Sequence, residues 1–304
     1  MSMPTLQQLR YLVAIADAGT FAGAAEVEFV SQPALSAQIK ELERKLGATL
    51  LERSSRGTML TRQGAEVVDR ARSILRDMDD LVRAAQFDGS SLHGHVELAV
   101  IPTLAPYVLP QVVRAFTDTH RDAQLHIREV QTAPMLTAIR RGEVDLGLLA
   151  LPIADAALET GVIGSDPFHL AVSEQHPLAR GRGPVKLDVL RDERVILLQE
   201  GHCLRDQVLD ACHLVVSEPS EIQATSMAAL AQMVAAGLGV TLLPRCAEHV
   251  EAGPGRGVVT RRFVGKGPVR TVGLVWRRSS PHAGLFREFA RLLADAQVLG
   301  GDDN

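Results

Sequence analysis

Three cysteines stand in this chain of 304 residues, and one of them has the neighbours that thiol chemistry needs. In the run Gly201-His202-Cys203-Leu204-Arg205-Asp206-Gln207, Cys203 sits among a histidine and an arginine. A thiol attacks only as the thiolate, and cationic or hydrogen-bonding neighbours favour that form, so Cys203 is a candidate nucleophile. Cys212 follows nine positions later. A helix across the interval would hold the two Cα atoms about 13 Å apart at roughly 1.5 Å per residue, whereas a disulfide spans at most about 7 Å. Any bond between them would therefore reshape the segment. Metal binding is the weaker reading, because zinc pairs sit about two to four residues apart, and a pair of inert buried thiols is the bland alternative. Cys246, in Cys246-x-x-His249 with no second pair, is expected to be buried in a helix.

The elements that must carry these residues follow from composition and periodicity. The chain is 46% hydrophobic and 22% charged, enough for two or three cores. The first twelve residues lack a basic stretch followed by an apolar run, and no apolar run approaches membrane-spanning length, so a cytoplasmic protein is expected, with no membrane partner. Few cysteines in a reducing compartment leave transient redox chemistry or burial, not a disulfide framework. A formal net charge of -4 argues against coating nucleic acid but leaves room for a local basic surface.

The first ninety residues read as helices. Leu9, Leu12, Val13 and Ala16 recur at helical spacing and Gly19 stops them. Thr20 can cap a second helix over residues 21–27, and Ser31 a third, with Pro33 in its first turn. Leu35, Ile39, Leu42 and Leu46 are expected to face inward, leaving Gln32, Ser36, Gln38 and Lys40 outward, side chains suited to base edges and phosphates. Residues 50–61 read as two strands around a turn bearing Arg53 and Arg56, a wing reaching the phosphate backbone. Charge alone decides little, since residues 1–62 hold seven basic and six acidic side chains. From Thr61 a long helix begins, and Val67, Ala71, Ile74, Met78, Leu81 and Ala85 form a heptad seam fit for pairing with a second copy or, as the bland alternative, for packing against the chain's own domain. It gives way at Asp88-Gly89-Ser90-Ser91.

The run Ser31-Gln32-Pro33-Ala34-Leu35-Ser36-Ala37-Gln38-Ile39-Lys40-Glu41-Leu42-Glu43, with Leu46-Gly47 and Leu51-Glu52-Arg53, resembles the N-terminal domain of the LysR-type transcriptional regulators. The resemblance implies several domains: an all-α winged helix-turn-helix over residues 1–62, binding double-stranded operator DNA through Gln32, Pro33, Ser36, Gln38, Lys40, Arg53 and Arg56; a dimerising linker helix over 63–90; and an α/β two-lobed effector domain, like a periplasmic binding protein, over 91–304. It also implies a tetramer, a dimer of dimers, acting on RNA polymerase rather than as an enzyme.

Past Gly94, strands and helices alternate as βαβαβ over residues 96–149, a parallel sheet whose ligand groups belong at strand C-termini, where Thr103 and Thr132 fall. Either threonine can equally be a helix cap. Residues 168–172 are expected to cross into a second lobe (about 168–268), which holds a strand at 195–198, the cysteine stretch, a helix at 226–236 and a strand at 240–243. Residues 270–276 return to the first lobe (about 91–167 and 269–304), which a helix over 281–296 closes.

Within that family the cysteine stretch resembles the hydrogen-peroxide-sensing members, as do Ile101-Pro102-Thr103, Gln131-Thr132 and Thr271-Val272-Gly273-Leu274-Val275. That resemblance implies that Cys203 reacts with peroxide and Cys212 resolves it as a disulfide, and that antioxidant genes are controlled. It implies that Thr103, Thr132 and His202 position peroxide, Arg205 and Asp206 support the pocket, Arg270 contributes, and thiol reductants such as glutaredoxin or thioredoxin reset the switch. Neither cofactor nor metal is expected. The competing readings are a regulator answering an organic effector in the cleft with passive cysteines, and a thiol peroxidase.

Overall fold

In the computed structural model, residues 3–54, 57–86, 92, 94–181, 183–201, 203–213, 222–265 and 267–300 are described. Contacts divide the chain into two compact units, Met1–Asp88 and Gly89–Asn304.

The first unit is built from local signals. Helix α1 (Leu6–Ala18) starts at Thr5, whose hydroxyl accepts from the Gln8 amide while the Gln8 side chain accepts from Thr5 N–H, and ends at Gly19 with φ 67°. Helix α2 (Phe21–Val27) is capped by Thr20, and α3 (Gln32–Leu46) by Ser31 with Pro33 in the first turn and Gly47 at the end. Leu35, Ile39 and Leu42 enter a core with Leu9, Leu12, Ile15, Ala24 and Ala25. Leu46 departs from expectation: it lies beyond Leu42, the last α3 residue in that core, and lines an apolar groove with Leu6, Leu9, Val67 and Ile74. Strands β1 (Leu51–Ser54) and β2 (Gly57–Leu60) pair antiparallel, Leu51 opposite Leu60. Helix α4 (Arg62–Gln86) begins under them, where Gly64 is required: a Cβ there would lie 2.0 Å from the Leu50 carbonyl oxygen. Of the expected seam, Val67 and Ala71 pack within the unit, whereas Ile74, Met78 and Leu81 are exposed. The Ala85 side chain and residues 88–91 lie outside the described residues.

The second unit holds a mixed sheet. Strand β3 (Gly94–Val100) pairs in parallel with β4 (Ala123–Glu129) on one side and β5 (Leu146–Leu151) on the other, with α5 (Ala105–Thr119) and α6 (Thr132–Arg141) as the crossovers. Strand β6 (Leu158–Ser173) joins the lobes. Its first part pairs antiparallel with β11 (Val269–Arg277) and its second with β9 (Thr241–Pro244) and β10 (Val258–Arg261). Pairing with β11 ends at Pro167 and pairing with β9 begins at Phe168; the strand itself starts ten residues before the expected 168, because pairing with β11 holds a polar, glycine-containing stretch extended. The expected strand at 195–198 shortens to β7 (Leu197–Leu198), parallel to β8 (Gln223–Ala224), with Val195 bridging to Val240. Helices α7 (Cys203–His213), α8 (Met227–Ala235), α9 (Arg245–Glu251) and α10 (Ala283–Asp295) complete the two-lobed α/β unit.

Candidate functional site

The site forms where the lobes meet beside the β6–β11 crossing. Arg270 on β11 and Asp166 on β6 are cross-strand partners and fully buried. Arg270 Nε and Nη2 donate to Asp166 Oδ2 at 3.0 and 2.8 Å. Nη1 donates to Thr103 Oγ1 and Nη2 to the Thr103 carbonyl, both at 3.2 Å. The remaining Asp166 oxygen accepts from Cys246 N–H, 3.0 Å away at the start of α9. Cys246 Sγ accepts from Arg270 Nη2 at 3.5 Å. One guanidinium thus ties the first lobe, the crossing strand and the second lobe together. Removing either Arg270 or Asp166 would strand a buried charge, at a cost of about 3–5 kcal/mol.

Cys203 opens α7 and is half-buried. Leu204 and Val208 seat the helix in the second lobe. Burial opposes the Arg270 charge, but Asp166, Cys246 and Cys203 lie within electrostatic range and outweigh it, so the Arg270 pKa rises above its ordinary value. Burial pushes the Cys246 thiol far above its ordinary range, with Asp166 adding to the shift and Arg270 opposing it. Across the cleft, Gln131 precedes α6 and meets Gly201, where a Cβ would fall 2.7 Å from Gln131 Oε1. Gly201 also has φ 93°, so both the close approach and the backbone call for glycine.

Neither threonine is a cap. The residues preceding α5 and α6, Leu104 and Gln131, make no side-chain cap bond; the Thr103 hydroxyl accepts from Arg270, and the Thr132 hydroxyl is buried without a partner among the described residues. Arg205 is turned toward β7, its Nη1 donating to the Leu198 carbonyl at 3.1 Å, while Asp206 is exposed in the first turn of α7. His202 and the Cys212 side chain lie outside the described residues, although the Cys212 backbone continues α7. Two residues escaped the sequence reading. Gln207, one helical turn beyond Cys203, has a buried side-chain oxygen with no partner among the described residues, and its spacing was the available signal. Asp166 carried none, because only strand register brings it to Arg270.

In the first unit, Gln32, Pro33 and Lys40 are exposed and Ser36 is half-buried on one side of α3. Gln38 is exposed but accepts from Gln8 Nε2 at 3.0 Å, so its oxygen serves the fold. Arg53 lies on β1 with its side chain outside the described residues, as is all of Arg56.

Residues 6–65 match the model for the bacterial regulatory helix-turn-helix proteins of the lysR family, and residues 89–297 the LysR substrate binding domain. A probable hydrogen peroxide-inducible genes activator of Mycobacterium avium is 40% identical over 96% of this chain and 94% of its own. The DNA-binding transcriptional dual regulator OxyR of Escherichia coli is 37% identical over 95% and 94%. Among solved structures, a cysteine-to-aspartate variant of full-length OxyR from Pseudomonas aeruginosa superposes with a TM-score of 0.80 at 31% identity, covering 98% of this chain and 97% of that one. A cysteine-to-serine variant of Corynebacterium glutamicum OxyR, solved with hydrogen peroxide bound, gives 0.65 at 34% identity over 97% and 95%. Similarity of this extent over both units shows that the chain belongs to the LysR family of transcriptional regulators, a family of DNA-binding proteins and not of enzymes.

Proposed function

We propose that the chain is a hydrogen-peroxide-responsive regulator with Cys203 as its sensing thiol. The observation that carries this reading is the position of Cys203: it begins α7 within electrostatic range of a buried arginine that also holds Thr103, with Cys212 near the far end of the same helix. Peroxide is small and polar, and the unpartnered Thr132 hydroxyl and Gln207 oxygen, with the Thr103 hydroxyl and the His202 imidazole, offer the donors and acceptors it requires. Arg205, bonded to the Leu198 carbonyl, and the exposed Asp206 flank the thiol in the first turn of α7, and Arg270 steadies negative charge on the departing oxygen.

The Cys203 thiolate attacks one peroxide oxygen; the S–O bond forms as the O–O bond breaks, and the departing hydroxide takes a proton and leaves as water. The product is a sulfenic acid. The Cys212 thiolate then attacks that sulfur and displaces a second hydroxide, which leaves as water. Two thiols become one disulfide and peroxide is reduced to two waters. Nine helical residues hold the two Cα atoms about 13 Å apart, so the bond closes only if α7 unwinds. Repacking of the second lobe then changes how paired winged helices of a homotetramer meet operator half-sites about one helical turn or a multiple apart, and with it RNA polymerase activity at antioxidant genes in the cytoplasm. Glutaredoxin or thioredoxin returns the thiols.

Footprinting of reduced and peroxide-treated protein on one operator tests the proposal. The protected region is expected to shift on oxidation and to stay fixed in a Cys203→Ser variant. An identical shift in that variant would favour an organic effector instead.

A further inference from the structure

The turn joining α2 to α3 contains Phe29, whose backbone is left-handed at φ 54° and whose side chain is 95% exposed. For a bulky L-residue that conformation is an outlier, since turns of this hand ordinarily use glycine or asparagine. The turn is well held: Phe29 N–H donates to the Glu26 carbonyl at 3.2 Å and Val30 N–H to the Ala25 carbonyl at 3.0 Å. The hydrogen bonds need only the backbone, and the core gains nothing from the ring. A strained backbone carrying an aromatic ring into water points to a contact made outside the chain.

Its position identifies the partner. Phe29 lies two residues before the Ser31 cap and three before exposed Gln32, on the approach to the helix end that helix-turn-helix proteins present to base edges. The apolar feature of base edges in the major groove is the thymine 5-methyl group, which a phenyl ring covers well. We propose that Phe29 is a specificity-determining DNA contact, packing on a thymine methyl beside the bases that α3 reads. The proposal rests on α3 being the recognition helix.

The test uses the full chain and duplexes that the wild type enriches from a random-sequence library. Binding is measured on these duplexes with each thymine replaced in turn by uracil, which lacks only the methyl group. Two variants, Phe29→Asn and Phe29→Gly, both accept positive φ and keep the fold testable. One thymine per half-site is expected whose replacement weakens wild-type binding about fourfold, the effect of one buried methyl-sized group. Both variants should bind the thymine duplex more weakly, lose that sensitivity and melt no lower than wild type. The dependence of their affinity on salt should be unchanged, because no phosphate contact is lost. Variants that bind like wild type, variants that keep the uracil penalty, or a wild type indifferent to every uracil would each overturn the proposal. A wild type that enriches no duplex would overturn the reading of α3 itself, and the Phe29 contact with it.

Discussion

Cys203 is half-buried at a helix start, whereas Cys246 is 7% exposed and its thiol is pushed up by burial among Asp166 and Arg270. A short pulse of iodoacetamide on the native protein should therefore label Cys203 and leave Cys246 unmodified until denaturant is added, as peptide mass spectrometry would read; equal native labelling would contradict this. Protonation of His120 opposes folding. Its ring is buried between Phe116 and Phe289, and neither nitrogen has a hydrogen-bond partner among the described residues. Burial lowers its pKa below the ordinary 6.5, and Glu288 only partly opposes the shift. The unfolded chain therefore binds the extra proton first as pH falls, so stability is lost between the ordinary value and the depressed folded one, and no further below it. Urea midpoints near pH 7.5 and about 5.5 should converge in His120→Leu compared with wild type; an unchanged difference would remove His120 from the acid response.

Elements with local signals were legible in the sequence, and those made by distant pairing were not. Thr20 and Ser31 cap helices where expected, and Gly19 and Gly47 end them, because caps and left-handed stops are read within a few residues. The first half of β6 was missed because Glu159, Gly161, Gly164 and Asp166 look like loop residues until β11 pairs with them. The Arg270–Asp166 pair was invisible for the same reason, its partners lying far apart in the chain. For α4, the heptad spacing was legible but not its division of labour: the early residues pack inside the unit, while Ile74, Met78 and Leu81 are left 47, 41 and 62% exposed. Those exposed residues should form the contact with a second copy. Ile74→Lys combined with Leu81→Lys is expected to lower the mass seen by sedimentation while leaving helical circular dichroism intact; an unchanged mass would place the contact elsewhere.

At the scale of the whole molecule, the thiols and the winged helix lie in separate compact units, so in the proposed switch oxidation would reach DNA binding only through a change that one unit passes to the other. Such coupling is reciprocal: operator DNA should shift the redox equilibrium of the thiols by the same factor that oxidation shifts DNA affinity. Within the second unit, the Arg270 network ties Thr103, β6 and α9 at the crossing while α7 stands in the second lobe with a thiol at its start. With about 1.5 Å of rise per residue, a bond between Cys203 and Cys212 is out of reach while α7 remains a helix. Hydrogen exchange of the Cys203–His213 segment, before and after one equivalent of peroxide and with cysteine linkage mapped in the same samples, tests this most directly. Protected amides are expected in the reduced protein and lost protection once the linked peptide appears; a linked peptide with protection unchanged would show that the bond forms without unwinding α7.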